Sequence, residues 1–540
     1  MYSGGDLKAA WKGIKCMASC NHQKEDKKPI NVKGVPDSVL PDVFNSFFSR
    51  FERGDLVGKV GVCKEALKPS EGFVISLDQV TILLKKVKVG KARGPDAICG
   101  RTLHHCANQL SGVFSRLFQT CVDVGQIPSL WKTSTIIPIP KSSTSKELSD
   151  FRPVALTSLV MKTFEKILKS EILSLTEGRL DPLQFAYQQN KGVEDAVLCV
   201  LNMVYRHLDK TGTCVRLLFA DFSSAFNKMQ PHILIERLAN VFNLPDQLLL
   251  LILNFLTGRT QRVLVNGQIS LPLMSSTGSP QGCVLSPLLF ILYTDSCRVT
   301  QNNRFLVKFS DDTVLMSLLS GSEINHGPAL SDFVEWCDSN YLDLNVKKTK
   351  DMIIDFRRSA PPHLGSSIIH GEVVEVVEEY RYLGSWIDNK LRFVTNTDSI
   401  FKRAQQRIYL LRKLNYFNVN KRILCNFYSC FIESILTFSF VCWYKALSMK
   451  DKKKLQSIVK TCSKIIGAKQ RDLQSLWEER VRKKAKSILG QPLHALHSEF
   501  SLMPSGRRYY VPSRKTNRFA NSFVPSAIEL LNSEPGRVAQ

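Results

Sequence analysis

The spacing of apolar residues changes character several times along the chain, and each change marks an element. Helical spacing appears over residues 41–51, where Val43, Phe44, Phe47, Phe48 and Phe51 share one face. Residues 103–124 carry the same amphipathic pattern, and Gly125 and Pro128 predict where it stops. Further helical patterns cover residues 156–173, 232–241, 248–261, 284–293 and 330–342. Runs of strand composition lie between them at residues 133–140, 216–220 and 352–356, with a hairpin at 263–267. Two more such runs, 305–309 and 313–318, are separated by Ser310, Asp311 and Asp312, which predicts a hairpin with its acids at the turn. Residues 379–388 read as a short aromatic β-turn-β unit, and from 397 the pattern is helical again over 397–414, 421–444 and 450–466. There is no internal repeat. No apolar run reaches the ~20 residues that cross a bilayer, and no membrane partner is expected.

Composition narrows the reading. A chain of 540 residues, 44% of them hydrophobic, holds two to four globular domains. Its net charge is +25, from 73 basic and 48 acidic residues, which suits a partner rich in phosphate and makes nucleic acid the first candidate. The excess is concentrated late: residues 445–540 hold 20 Lys and Arg against 7 Asp and Glu, a composition that also fits a solvated, partly disordered extension. The 15 cysteines are scattered through apolar runs, as in a reduced intracellular protein. Cys16, Cys20 and His22 have a hint of ligand spacing but lack a second pair.

The candidate chemistry sits in four places. Asp311 and Asp312 crowd two like charges beside apolar strands, a conflict that a divalent cation relieves, although a solvated turn also uses Asp. Asp221 ends the run 216–220, where open α/β sheets collect ligands and where an Asp can equally cap the following helix. Lys141 and Arg152 flank a flexible polar loop, and such a pair can clamp a triphosphate or stand as plain surface charge. In Ser276-Thr-Gly278-Ser-Pro280-Gln281-Gly282, two glycines bracket Pro-Gln, so the backbone turns tightly and leaves space for a nucleotide or base pair.

Taken in order, these residues resemble the reverse transcriptases of non-LTR (LINE-type) retrotransposons, in particular those of jockey-like elements. The likeness begins at Lys91-Ala-Arg-Gly-Pro-Asp96 and passes through Ile139-Pro-Lys141, Phe151-Arg-Pro153, Leu183-Gln-Phe-Ala-Tyr187 and Asp221-Phe-Ser-Ser-Ala-Phe226. It continues through Gly278-Ser-Pro-Gln-Gly282, Phe309-Ser-Asp-Asp312 and Leu344-Asn-Val-Lys-Lys-Thr-Lys350, and ends at Tyr382-Leu-Gly384. The resemblance implies an α/β right-hand polymerase fold: a linker or extension over 1–70, fingers over 71–210, and a palm with a small antiparallel sheet over 211–388. The reverse transcriptase domain would cover about 120–388, followed by a helical thumb over 389–470 and a basic region over 471–540.

The implied activity is RNA-directed DNA synthesis from a primer 3′-hydroxyl, with an RNA template, a DNA primer or target and dNTPs as partners. Asp221 and Asp311 would hold two Mg²⁺ ions, or Mn²⁺ in their place, and Asp312 would support the turn. Phe226 would be the gate against a 2′-hydroxyl, Lys141 and Arg152 the triphosphate clamp, and Gly278, Pro280, Gln281 and Gly282 the loop beside template and incoming base. Lys348, before Lys350, would protonate pyrophosphate; Tyr382, Leu383 and Gly384 would form the primer grip. The family also implies a nuclear location. The sequence departs from the family pattern at Ser310, commonly Ala, at Asn227, often a second Asp, and at Lys191-Gly192, usually Arg-Ser. The apurinic-type endonuclease that precedes this polymerase in the family has no counterpart here, so self-sufficient integration is not expected. The alternative is an inactive remnant that only binds nucleic acid.

Overall fold

The computed structural model describes residues 29–52, 56–142, 144–321, 326–357 and 365–533; the Cys16, Cys20 and His22 cluster lies outside them. Two sheets organise the chain. The first runs in the order β2 (Phe151–Thr157), β1 (Thr133–Pro140), β4 (Arg259–Val265), β5 (Gln268–Ile269), with β6 (Leu273–Ser275) also on β4. The second runs β12 (Glu375–Val376), β9 (Lys350–Asp355), β3 (Thr213–Ala220), β8 (Asp312–Ser320), β7 (Arg304–Phe309).

β3 is buried along all eight of its residues, because it lies at the centre of its sheet with helices on both faces. Alternate side chains go to opposite sides: Val215, Leu217 and Phe219 pack with the Val193–Leu208 helix, while Leu218 and Ala220 pack with Leu330, Phe333 and Cys337 of the Gly327–Ser339 helix. That double cover leaves the strand ends as the part of the sheet open to ligands.

Several expected elements differ in extent. The pattern over 156–173 gives a helix at Leu159–Thr176, because β2 takes the first residues and the Ser158 hydroxyl accepts from Met161 N to start the helix. The pattern over 248–261 gives a helix at Asp246–Leu256, since Arg259 begins β4. The pattern over 421–444 breaks into Lys421–Phe427, a π-turn at Tyr428–Glu433, Ser434–Leu436 and Phe440–Trp443, with Ser439 at φ +47° between the last two. Among the described residues no single helix is long and apolar enough to cross a membrane; Lys421–Leu436 and Phe440–Ala446, bent by 41°, reach that length and composition only together. Most of the apolar residues of this stretch are buried in a protein core, Ile423 and Phe438 being exposed.

Both ends of the described chain are folded more fully than their composition suggests. Within the stretch expected as a linker, the Leu40–Ser49 helix buries Phe44 and Phe48 against Ile136, Phe151, Val263 and Val265 of the first sheet. Asn45 donates to the Ser270 hydroxyl and the Leu271 carbonyl, which ties that helix to the β5–β6 connection. At the other end, the Leu473–Leu489 and Phe523–Asn532 helices share one core with the Val193–Leu208 helix and β3. Lys484 Nζ lies 3.0 Å from Asp195 and 3.4 Å from Glu194, and the Asp209 carboxylate accepts from the Lys515 and Thr516 backbones. The stretch 71–210, expected as one unit, is divided as well, because Val193–Leu208 belongs to the core of the second sheet.

Candidate active site

Asp221 follows the last residue of β3, and Asp311 lies in the two-residue turn between β7 and β8. Ala220 pairs with Thr313 across the antiparallel β3–β8 ladder, so the register brings Asp221 to Asp312, the first residue of β8, and to the turn that carries Asp311. Burial pushes the Asp221 carboxyl up, the nearby Lys348 charge draws it back, and Asp311 pushes it up again. Burial, followed by the charges of Asp311 and Asp221, pushes Asp312 up to about 6. Asp312 is nevertheless exposed along one edge.

Lys348 is held beside Asp221 by the backbone. Asn345 N donates to the Asp221 carbonyl at 2.8 Å, and Asp221 N donates to the Thr349 hydroxyl at 3.2 Å, so the 345–349 turn is pinned on both sides. The result puts Lys348 Nζ 4.0 Å from Asp221 Oδ2. Lys350 points elsewhere, donating to Glu375 Oε2 at 2.6 Å. Lys141 lies at the end of β1 with its ammonium on the Ser149 carbonyl at 2.7 Å; burial lowers its pKa, as do Lys348 and Arg152, while Asp150 and Asp221 oppose them. Arg152, on β2, pairs with Ile139 of β1 and is exposed.

Phe226, on the short Ala225–Lys228 helix, is half-buried and stacks on Phe290 with ring centroids 4.4 Å apart. Its carbonyl accepts from Ser279 N at 2.9 Å and the Met229 carbonyl accepts from Gly278 N at 2.8 Å, so the Gly278–Gly282 loop is fastened to this turn. On the other side Ala155 N donates to the Gln281 carbonyl at 2.8 Å. The two glycines also serve the packing of the loop. A Cβ on Gly278 would stand 2.5 Å from Asn227 O, and one on Gly282 2.7 Å from Ala155 O, so both positions let the loop lie against the chain's own backbone. The Pro280 carbonyl accepts from the Ser286 hydroxyl at the start of the Ser286–Tyr293 helix, and Gln281 is half-buried.

The predicted Tyr382–Gly384 grip is the turn between β13 (Glu379–Tyr382) and β14 (Ser385–Asp388). Tyr382 itself is buried, with its ring 5.5 Å from Phe219, so its side chain is a core residue. Leu383 and Gly384, at φ +46° and +91°, are what the turn leaves partly open.

Three buried polar side chains to which sequence reasoning gave no role hold these loops. Arg259 donates to the Leu256, Thr277 and Gly278 carbonyls, and burial lowers its pKa to about 10. Glu165 accepts from Val284 N and Leu285 N just after Gly282, and burial pushes its carboxyl up to about 7. Gln184 accepts from Ser310 N at 3.2 Å. For Glu165 the available signal was a polar residue at a buried phase of the Leu159–Thr176 helix; Arg259 and Gln184 carried none.

Among the described residues no group of three or more His, Cys, Asp and Glu side chains is arranged to hold a metal ion. Asp221 and Asp311 offer carboxylate oxygen alone, the donor chemistry that suits Mg²⁺, which takes one or two carboxylates and completes its shell from water and phosphate. A carboxylate pair flanked by Lys348, Lys141 and Arg152 can organise a cation together with a polyanion.

Residues 139–387 match the family model described as "Reverse transcriptase (RNA-dependent DNA polymerase)". Residues 394–434 match a second model, "Alkylated DNA repair protein alkB homolog 8, N-terminal". The chain is similar to the RNA-directed DNA polymerase from mobile element jockey of Drosophila melanogaster, with 25% identity over 71% of this chain and 44% of the relative. It is similar to the probable RNA-directed DNA polymerase from transposon X-element of the same fly, with 26% identity over 61% of this chain and 37% of the relative. The Pol polyprotein from type-1 retrotransposable element R1 of Bradysia coprophila is 21% identical over 78% of this chain and 43% of its own length. The chain thus spans less than half the length of these relatives.

Proposed function

We propose that this chain is an RNA-directed DNA polymerase that extends a primer 3′-hydroxyl with dNTPs on an RNA template, a reading supported by the match of residues 139–387 to the reverse transcriptase family model and by the similarity to the jockey polymerase. The observation that carries the reading is the meeting of Asp221 with the Asp311 turn across the β3–β8 ladder, with Lys348 4.0 Å from Asp221. In this reading the second sheet is the palm, the first sheet and its helices are the fingers, and Val394–Tyr416 with its neighbours is the thumb.

Asp221 and Asp311 are the residues that would hold two divalent ions, and Asp312 keeps the local charge high. Divalent ions, when bound, let the primer hydroxyl ionise and offset the charge of the departing pyrophosphate. Lys348 holds a proton within reach of that leaving group. Lys141 and Arg152 grip the triphosphate, one as a point charge and one as a fork. Phe226, braced by Phe290, closes the space a 2′-hydroxyl needs, so the substrate is a dNTP. Gln281 borders the base, and the Leu383–Gly384 backbone supports the primer end. The nucleus, which the resemblance to non-LTR elements implies, is the proposed site of action.

Primer extension on an RNA template with Mg²⁺ and dNTPs tests the proposal. Wild type extends and Asp311→Asn does not. Folded wild type that binds RNA without extending the primer would replace this reading with nucleic-acid binding alone, and equal extension by both proteins would remove Asp311 from the site. Phe226→Val should admit ribonucleotides; unchanged sugar discrimination would remove the gate.

A further inference from the structure

The segment 181–187 lies along the outer edge of β7. Lys308 N donates to the Leu183 carbonyl and Phe185 N donates to the Lys308 carbonyl, both at 2.9 Å, so Gln184 faces Lys308 in a parallel bridge. An ion pair fixes the alignment: Asp181 Oδ2 lies 2.8 Å from Lys308 Nζ, which also donates to the Thr294 and Cys297 carbonyls. Asp295 Oδ1 accepts from Asp181 N at 2.7 Å and anchors the start of the segment.

Two positions beyond Lys308, the chain enters the turn that carries Asp311. Ser310 occupies its first position at φ +62°, and a turn residue of this kind has no ladder partner of its own for its N–H. Gln184 Oε1 accepts that N–H at 3.2 Å and the Ala186 N–H at 3.0 Å. With the oxygen so used, Gln184 Nε2 is buried without a hydrogen-bond partner among the described residues, as is the Ser310 hydroxyl. A side chain present only to fill the core would not strand a donor there, so the arrangement favours the acceptor over complete satisfaction.

We propose that Gln184 is a positioning residue for Asp311: it holds the Ser310 backbone and thereby sets where the Asp311 carboxylate stands relative to Asp221. The proposal rests on the polymerase reading above. Gln184 acts through the turn and not on substrate, so its loss should move the acid without removing it.

Gln184→Met keeps the volume and removes the acceptor; Gln184→Glu keeps an acceptor oxygen. For Gln184→Met, kcat for primer extension should fall about 30-fold with the dNTP KM nearly unchanged and the half-saturating Mg²⁺ concentration raised, because a displaced group costs rate out of proportion to the distance moved. Gln184→Glu should retain several times more activity than Gln184→Met. Wild-type kcat and Mg²⁺ dependence in Gln184→Met would overturn the proposal. So would equal losses in both variants that follow a lowered Tm at unchanged Mg²⁺ dependence, the pattern of simple packing damage. Hydrogen exchange read at single residues gives a test free of activity and of variant folding. The Ser310 amide of wild type should be protected, and rapid exchange there would overturn the proposal. Wild type that fails to extend but protects Ser310 would sink the polymerase reading and leave the Gln184 contact standing.

Discussion

The sheet that carries the acids holds two sets of charged side chains built on opposite plans. On the face covered by Gly327–Ser339, Arg216 of β3 and Asp351 of β9 meet at 2.6 Å with side chains 4% and 0% exposed, and Ser367 donates a further bond to the same carboxylate oxygen. Five residues along β3 from Arg216, Asp221 joins Asp311 and Asp312 at an open edge, where Lys348 stands 4.0 Å away and mutual repulsion helps push Asp312 up to about 6. The first set balances its charge inside the fold. The second leaves its acids crowded at an open edge, and in the proposed reading that difference separates acids that hold a structure from acids that do chemistry.

Substitutions should divide along the same line. Asp221→Asn should lower primer extension by at least ~10³-fold, about 4 kcal/mol of barrier, at an unchanged or raised Tm. A lowered Tm with proportionate activity would erase the contrast. Asp351→Asn strands the Arg216 guanidinium and should cost about 3–5 kcal/mol of stability, read by denaturant unfolding, while activity per folded molecule persists. Mg²⁺ at ten times its Kd should stabilise wild type and Asp351→Asn by about 1.4 kcal/mol and leave Asp221→Asn unmoved. A thermal-shift titration of the three proteins checks this.

The smallest effect concerns pH. The folded Asp312 carboxyl titrates at about 6, above the ordinary value near ~3.9, so the folded state binds its proton more tightly than the unfolded chain. Its stabilising contribution is present below pH ~4 and lost as pH rises through about 6. Without divalent ions, wild type should therefore lose Tm relative to Asp312→Asn between pH ~4 and ~6. Parallel pH profiles would mean that Asp312 is not crowded by its neighbours.

The parts of the fold legible in sequence are those whose signal is local. The Asp311 hairpin is visible because two strand-like runs bracket two acids, and the end of the Ala107–Val124 helix because Gly125 adopts φ +68° there. What escaped depends on distant partners. Gln184 reaches Ser310 across 126 residues and Arg259 closes onto Gly278 from another strand, and neither spacing leaves a mark in the sequence. In residues 471–533 the density of Lys and Arg draws attention from Leu473, Trp477, Val481, Ala485 and Ile488, a buried helical stripe that was present to be read. The Leu40–Ser49 helix was foreseen, but the strands it covers begin only at Thr133.

That late stripe governs the order in which a nascent chain can finish folding. Val193–Leu208 leaves the ribosome early, yet the core around it is completed by residues as far along as Leu531. At roughly 5–20 residues per second, the delay is on the order of 15–60 s. Throughout it the helix lacks the cover that the Phe523–Asn532 helix supplies, so its apolar surface stays open until that segment emerges.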